Sequence, residues 1–301
     1  MKLDLKNIKD SGSLELLAHQ LVEGFITGLH KSPYHGFSVE FAEHKVYNEG
    51  ESTRHIDWKV YARTDRLFTK RYEEETNLRC LIALDTSASM YYPRETKAKI
   101  RFAKYAAAAL GFLLNKQRDA VGLCLFSDKI EMLTQMKSTP THLDKLLRSL
   151  NDLESHTPPA KATNVAAILH EIAEKIHKRS LVVIFSDMFD AEEDTDELFK
   201  ALQHLKHNKH EVIVFHVMDN ETELYFEFEE RPMEFVDLES GERLALNPGE
   251  VKEHYRAEAS RFHKALKMRC NQYKIDFIEA DVSTDFDVIL QTYLIKRAKM
   301  R

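Results

Sequence analysis

Three residues with oxygen-bearing side chains have the spacing of an ion-binding loop. Asp85, Ser87 and Ser89 alternate directly after the apolar run 81–84. A short, bounded apolar run indicates a parallel strand buried on both faces, and open α/β sheets bind ligands beyond the carboxyl ends of such strands. Carboxylate and hydroxyl oxygens are hard ligands that suit Mg²⁺ or Mn²⁺, which keep part of their water shell. The spacing therefore predicts a site for one such ion.

Two further residues downstream belong to the same prediction. Thr163 precedes a strong helical pattern, and Asp187 follows the second buried run, 181–185. Together with the first three residues they form an ordered set along the chain.

The ordered set of five resembles the metal-ion-dependent adhesion site of von Willebrand factor type A domains. The resemblance implies that Ser87, Ser89 and Thr163 touch the metal directly, while Asp85 and Asp187 hold its waters. It also implies that a carboxylate of a protein partner fills the remaining position.

The elements that must position these residues alternate between strand and helix from Leu78 onward. This order predicts an α/β fold with a doubly wound, mainly parallel sheet, Rossmann-like and of the von Willebrand factor type A kind. Within the predicted domain, 78–301, a stretch at about 221–249 contains two short apolar segments around Ser240-Gly241 and is expected to form a hairpin.

The preceding residues, 1–77, are predicted to form a separate N-terminal part. Apolar residues at helical spacing indicate an amphipathic helix at about 13–27, and alternating apolar residues with Pro and Gly from 28 to 77 indicate a strand-rich module.

This module carries a second resemblance, to the bacterial domain-of-unknown-function family fifty-eight, DUF58. The resemblance rests on the following residues: Ser32-Pro33, Gly36, Tyr47, Gly50-Glu51, Arg54, Ile56-Asp57-Trp58 and Ala62-Arg63. Members join such a segment to a von Willebrand factor type A domain and are typically encoded beside MoxR-type ATPases of the AAA+ class. The resemblance implies that the chain helps such an ATPase in the assembly or maturation of other proteins.

Four residues of the module combine charge with one large apolar ring: Arg54, Asp57, Trp58 and Arg63. They are interpreted either as a structural brace, in which Asp57 pairs with an arginine and Trp58 is packed, or as a partner-docking surface, since Trp and Arg are frequent interface anchors.

Composition excludes several classes of function. The chain has 301 residues and a formal net charge of -6, which gives no sign of a nucleic-acid surface. Its three cysteines lack metal-ligand spacing, and the N-terminus has no signal-peptide pattern. No apolar stretch approaches the roughly 20 residues of a membrane span. A cytoplasmic location is therefore expected.

An enzymatic role is not expected, because no nucleophile, general base or phosphate-binding loop accompanies the proposed ligands. A metal-dependent hydrolase acting on phosphoesters is the alternative. A zinc site at His204, His207 and His210 is not expected either, since no cysteine or acid completes it.

Overall fold

The computed structural model describes residues 14–16, 18, 19, 22, 43–46, 58–71, 78–155, 164–188 and 195–283. The chain divides into two compact units, one formed by Gly28–Asn77 and the other by Met1–Thr27 together with Leu78–Arg301. The two units are described separately.

The smaller unit contains an antiparallel pair of strands, β1 (Glu43–Val46) and β2 (Phe68–Arg71). A short helix, α1 (Trp58–Thr64), lies between them in the chain and buries none of its residues. Extended structure is thus present in the module that the sequence marks as strand-rich.

The larger unit is an α/β fold. Its strands in chain order are β3 (Arg79–Asp85), β4 (Ala120–Phe126), β5 (Ile130–Leu133), β6 (Leu181–Ser186), β7 (Glu211–Met218), β8 (Met233–Val236), β9 (Arg243–Leu246) and β10 (Asp276–Asp281). Its helices are α2 (Ala98–Lys116), α3 (Pro140–Asn151), α4 (Val165–Lys175), α5 (Thr195–His207) and α6 (Pro248–Gln272).

Six strands form one sheet in the order β10-β7-β6-β3-β4-β5. Every neighbouring pair is parallel except β4 and β5, which are antiparallel. The expected doubly wound, mainly parallel sheet is therefore confirmed.

Helices cover both faces of this sheet, because alternate side chains of a strand point to opposite faces. Ile82 and Leu84 of β3 pack in the apolar cluster that includes α2 and α3. Leu81 and Ala83, which alternate with them along β3, point to the opposite face and pack in the cluster that includes α4 and α5. The central strands are consequently buried on both sides, which fixes the positions of their carboxyl ends.

The N-terminal helical residues belong to the larger unit. Leu14, Ala18 and Val22 are buried in the same cluster as α2, and the ring of His19 lies 5.2 Å from that of Phe112. The sequence boundary at residue 77 assigned this helix to the N-terminal part. The structure differs because its apolar stripe completes the core beside α2.

Strands β8 and β9 pair as an antiparallel hairpin between β7 and α6, as expected from the turn residues. None of the helices in the described ranges combines the length and apolar composition needed to span a bilayer.

Candidate metal site

The candidate site lies where the strand order of the sheet reverses. From β3 the chain proceeds to β4 and β5 on one side, and from β6 it proceeds to β7 and β10 on the other. Such a reversal opens a crevice beyond the carboxyl ends of the two central strands. Asp85 is the last residue of β3, and Asp187 directly follows β6, so the topology brings both acids to this crevice.

Both oxygens of the Asp85 carboxylate accept hydrogen bonds. Oδ1 accepts the backbone N–H of Ser87 at 2.9 Å, and Oδ2 accepts the hydroxyl of Ser186 at 2.7 Å. Burial, and then the charge of Asp187, raise the pKa of Asp85 to about 7, although the two hydrogen bonds lower it. A pair of buried carboxylates that repel each other is an arrangement that a bound cation stabilises.

The two serine hydroxyls converge. Ser87 Oγ and Ser89 Oγ lie 3.0 Å apart. A 3₁₀ turn, Ala88–Tyr91, holds them, with the N–H of Met90 donating to Ser87 O at 3.1 Å. Thr86 anchors the loop to β4, because its N–H and its hydroxyl donate to Phe126 O at 2.7 and 2.8 Å. The alternating spacing thus aims both hydroxyls at one place, as predicted.

Asp187 is fully buried and forms an ion pair whose partners the sequence did not identify. Lys99 Nζ lies 2.8 Å from Asp187 Oδ2 and 2.6 Å from Glu223 Oε1. Burial favours the neutral amine, but the two carboxylates raise the pKa of Lys99 above its ordinary value. Burial raises the pKa of Glu223, whereas the positive charge of Lys99 acts to lower it. The ammonium therefore compensates part of the negative charge at the site.

His216, in β7, holds the backbone of the same residue. Its Nε2–H donates to the Asp187 carbonyl oxygen at 2.9 Å. Burial is the main cause that lowers the pKa of His216 to about 4, so the ring is neutral near pH 7. His216 and Ser186 are positioning residues, which sequence reasoning missed because their roles depend on contacts between distant strands.

A signal for Lys99 was present in the sequence. Lys99 precedes Ala103 by four positions and therefore lies on the predicted apolar stripe of the first helix. A lysine on a buried stripe needs a carboxylate partner, since an unpaired buried charge is costly. The identity of the partners could not be derived, because they are 88 and 124 positions away.

The residues present fit a hard divalent cation in their chemistry. Two converging hydroxyls and the carboxylates of Asp85 and Asp187 are oxygen donors. Within the described ranges, no three His, Cys, Asp or Glu side chains are grouped to hold a metal ion.

The remaining predicted site residues are Thr163, Arg54, Asp57, Trp58 and Arg63. Thr163, Arg54 and Asp57 lie outside the described residues. Trp58 is 61% exposed, and Arg63 is exposed on the same helix. The three histidines of the zinc hypothesis do not form a site. His204 instead pairs with His170 and Glu174 at 2.9 Å each.

These features define an α/β protein with buried oxygen ligands at the point where the strand order of its sheet reverses. We call Asp85, Ser87, Ser89 and Asp187 the oxygen cluster. The family model described as "Protein of unknown function DUF58" matches residues 43–265, and the chain belongs to this family.

Relatives and solved structures extend the comparison. The uncharacterized proteins Rv1480 of Mycobacterium tuberculosis and Mb1516 of Mycobacterium bovis are each 25% identical to the chain over 175 residues. The match covers 58% of this chain and 55% of each relative, so the chain spans about half the length of these curated relatives.

Two solved structures are similar at low sequence identity. The conserved hypothetical protein BatB from Bacteroides thetaiotaomicron is 16% identical, with a TM-score of 0.45, over 74% of this chain and 99% of its own. An aerotolerance-related membrane protein from Bacteroides fragilis is 14% identical, with a TM-score of 0.46, over 74% of this chain and 100% of its own.

Proposed function

We propose that the chain is a metal-dependent protein-interaction module with a von Willebrand factor type A-like site. The observation that supports this most directly is the convergence of Ser87 Oγ and Ser89 Oγ, 3.0 Å apart, beside the Asp85 carboxylate. In the proposal Ser87, Ser89 and Thr163 hold one Mg²⁺ or Mn²⁺ ion, and Asp85 and Asp187 orient its waters.

The chain's own residues have separate tasks in this proposal. Neutral hydroxyls leave most of the ion's charge uncompensated, so the ion supplies an attractive position for a carboxylate. Ser186 orients Asp85 through its hydrogen bond of 2.7 Å, and His216 fixes the backbone of Asp187 at 2.9 Å. A partner that presents an Asp or Glu would complete the site.

The proposed partner is a MoxR-type AAA+ ATPase, or an acidic residue of a client protein on which that ATPase acts. This step rests on the resemblance of the N-terminal module to the DUF58 family, and the acidic residue on the resemblance of the oxygen ligands to a metal-ion-dependent adhesion site. Arg54, Asp57, Trp58 and Arg63 are the proposed second contact, because Trp and Arg are frequent interface anchors and Trp58 is 61% exposed. The proposed location is cytoplasmic.

Ion binding is tested by calorimetry with Mg²⁺ and with Mn²⁺. The double variant Ser87→Ala, Ser89→Ala should lose the binding heat while it remains folded, because two of the proposed direct ligands are removed. Ser155→Ala is the matched control, since this exposed serine hydrogen-bonds only locally to Asp152 O at 2.8 Å. Equal heats from wild type and the double variant would remove the site.

The alternative function is a metal-dependent phosphoesterase. Glu223, which pairs with Lys99, also lines a cavity of about 240 Å³ together with His216, and this cavity is the space in which a substrate could bind. Purified protein is assayed with nucleotides and phosphoesters in Mg²⁺ or Mn²⁺, with Asp85→Ala as the control. We expect no turnover, and activity that co-purifies with wild type and is lost in Asp85→Ala would establish the hydrolase instead.

A further inference from the structure

Lys99 occupies a position that is unfavourable for a cation. It is in the first turn of α2, where the helix dipole favours negative charge, and its side chain is 0% exposed. Taking an ammonium out of water costs several kcal/mol unless nearby charges and hydrogen bonds compensate. The contacts of Lys99 with acidic groups therefore determine whether it can be there at all.

Those contacts reach two different parts of the chain. Lys99 Nζ donates to Asp187 Oδ2 at 2.8 Å and to Glu223 Oε1 at 2.6 Å. Glu223 belongs to a π-helical segment, Asn220–Leu224, and its Oε2 accepts the N–H of Asp219 at 2.8 Å. Glu223 is thus fixed through both oxygens, and Lys99 joins its segment to the end of β6.

We propose that Lys99 is a tethered cation that shares Asp187 with the divalent ion and thereby weakens the binding of that ion. The inference rests on the proposed function, because it concerns the same site. It assigns Lys99 and Glu223 to the control of ion affinity.

Electrostatics gives the direction of the effect. Asp187 and Glu223 place two carboxylates around one ammonium, and the nearby charge of Asp85 acts on Asp187, so the surroundings of Asp187 attract a divalent cation. The ammonium repels that cation and neutralises part of Asp187, the acid proposed to hold its waters. Lys99 is covalently part of α2, so its side chain cannot leave the site. A bound ion is therefore repelled by the Lys99 ammonium.

A second buried lysine of the same helix provides the comparison. Lys104 is 4% exposed and pairs with the Glu154 carboxylate at 2.5 Å, without contact to the oxygen cluster. If buried lysines of α2 act only by stabilising the fold, the two pairs should behave alike in ion binding. If the inference is correct, only the Lys99 pair should matter.

The experiment removes the pair as a whole. The double variant Lys99→Gln, Glu223→Gln loses one positive and one negative charge, so the net charge of the cluster stays the same while Asp187 loses its ammonium. We expect Mg²⁺ and Mn²⁺ to bind at least about tenfold more tightly, and to raise the unfolding temperature more than in wild type. Lys104→Gln, Glu154→Gln is the matched control, with wild-type affinity expected.

A second variant protects the test against misfolding. Lys99→Met, Glu223→Met removes the same charges with apolar side chains of similar length, a replacement that buried ion pairs often tolerate. It should show the same tighter binding in calorimetry and the same larger response of the unfolding temperature.

The outcomes separate this inference from the proposed function. If wild type binds the ion through Ser87 and Ser89, and both Lys99 variants bind it equally well, Lys99 has no influence and the inference is wrong while the ion site stands. If a Lys99 variant binds the ion and wild type does not, Lys99 prevents ion binding altogether. The inference is then correct, and the proposed ion-dependent binding of a partner is wrong. If no variant binds an ion, both are wrong.

Discussion

The Ser186 hydroxyl donates a hydrogen bond of 2.7 Å to Asp85 Oδ2, although the two residues are 101 positions apart in the chain. The hydroxyl oxygen of Ser186 also accepts the backbone N–H of Met188 at 2.9 Å. One serine therefore orients the carboxylate at the end of β3 and shapes the turn that carries Asp187. The two halves of the candidate site are joined by this single side chain.

Replacing Ser186 should weaken the fold as well as the site. Ser186→Ala leaves a buried carboxylate oxygen and a buried N–H without this partner, so we expect a loss of about 1–3 kcal/mol in the free energy of unfolding. Urea unfolding in the presence of chelator measures it. The exposed control Ser155→Ala should change stability by less than about 0.5 kcal/mol, and an equal loss in both variants would contradict the assigned role.

Partner capture should distinguish the ion site from the N-terminal module. Asp85→Asn keeps the shape of the side chain, so the protein should remain folded but lose ion-dependent capture of the cognate MoxR-type ATPase. Trp58→Ala should leave stability within about 0.5 kcal/mol, because the ring is 61% exposed, yet reduce capture if the module docks.

The measurement is a pull-down with purified ATPase, in Mg²⁺ and in chelator, together with thermal unfolding of each variant. Arg63→Ala, on the same exposed helix as Trp58, tests whether the module acts as a surface. Capture that survives both chelator and Asp85→Asn but is lost in a stable Trp58→Ala protein would assign docking to the module and refute the ion mechanism.

His210 should make the fold sensitive to acid. The ring is buried, its Nδ1 accepts the N–H of Ser180 at 3.2 Å, and burial lowers its pKa below the ordinary 6.5. The unfolded chain then binds a proton that the folded chain excludes, so this contribution to stability is present above pH 6.5 and is lost as the pH falls below it.

The variant His210→Asn keeps an acceptor for the Ser180 N–H but cannot titrate. Its free energy of unfolding should therefore fall less steeply below pH 6.5 than that of wild type. The exposed His207→Asn serves as the control, and a wild-type slope in His210→Asn would assign the acid sensitivity to other groups.

Gly122, in the middle of β4, should not tolerate a larger side chain. A Cβ atom there would lie 3.0 Å from Met136 Cγ and 3.2 Å from the backbone oxygen of Thr134. Gly122→Ala should cost about 1–3 kcal/mol of stability through overpacking, measured by thermal unfolding. The nearby Ala120→Gly, at the start of the strand, provides a comparison in which side-chain volume is removed. Unchanged stability in Gly122→Ala would show that the segment after β5, which contains Thr134 and Met136, can move away.

Local sequence patterns were sufficient to predict most strands of the sheet. The apolar runs before Asp85 and Asp187 gave β3 and β6, because strands buried on both faces consist of short, continuous apolar segments. The positions of Asp85, Ser87 and Ser89 were predictable for a similar reason, since they follow directly from where one strand ends.

The remaining contacts of the site depend on distances across the fold. Glu223 lies in the region that the sequence predicted only as a hairpin, and no contact of its side chain could be derived from that prediction. Its approach to Lys99 follows from the packing of α6 against the π-helical segment. Trp58 shows the same limit, because a tryptophan can be packed or exposed and its local sequence does not decide which.

The separation of the site residues along the chain has a consequence for biosynthesis. During translation, α2 and its Lys99 leave the ribosome long before Glu223, which is 124 positions later. Until then the lysine lacks one of its carboxylates, and the helix N-terminus that contains it is costly to bury. The central crevice should therefore close late in folding, and nascent chains that end before residue 223 should retain an accessible Lys99 that amine-directed labelling can detect.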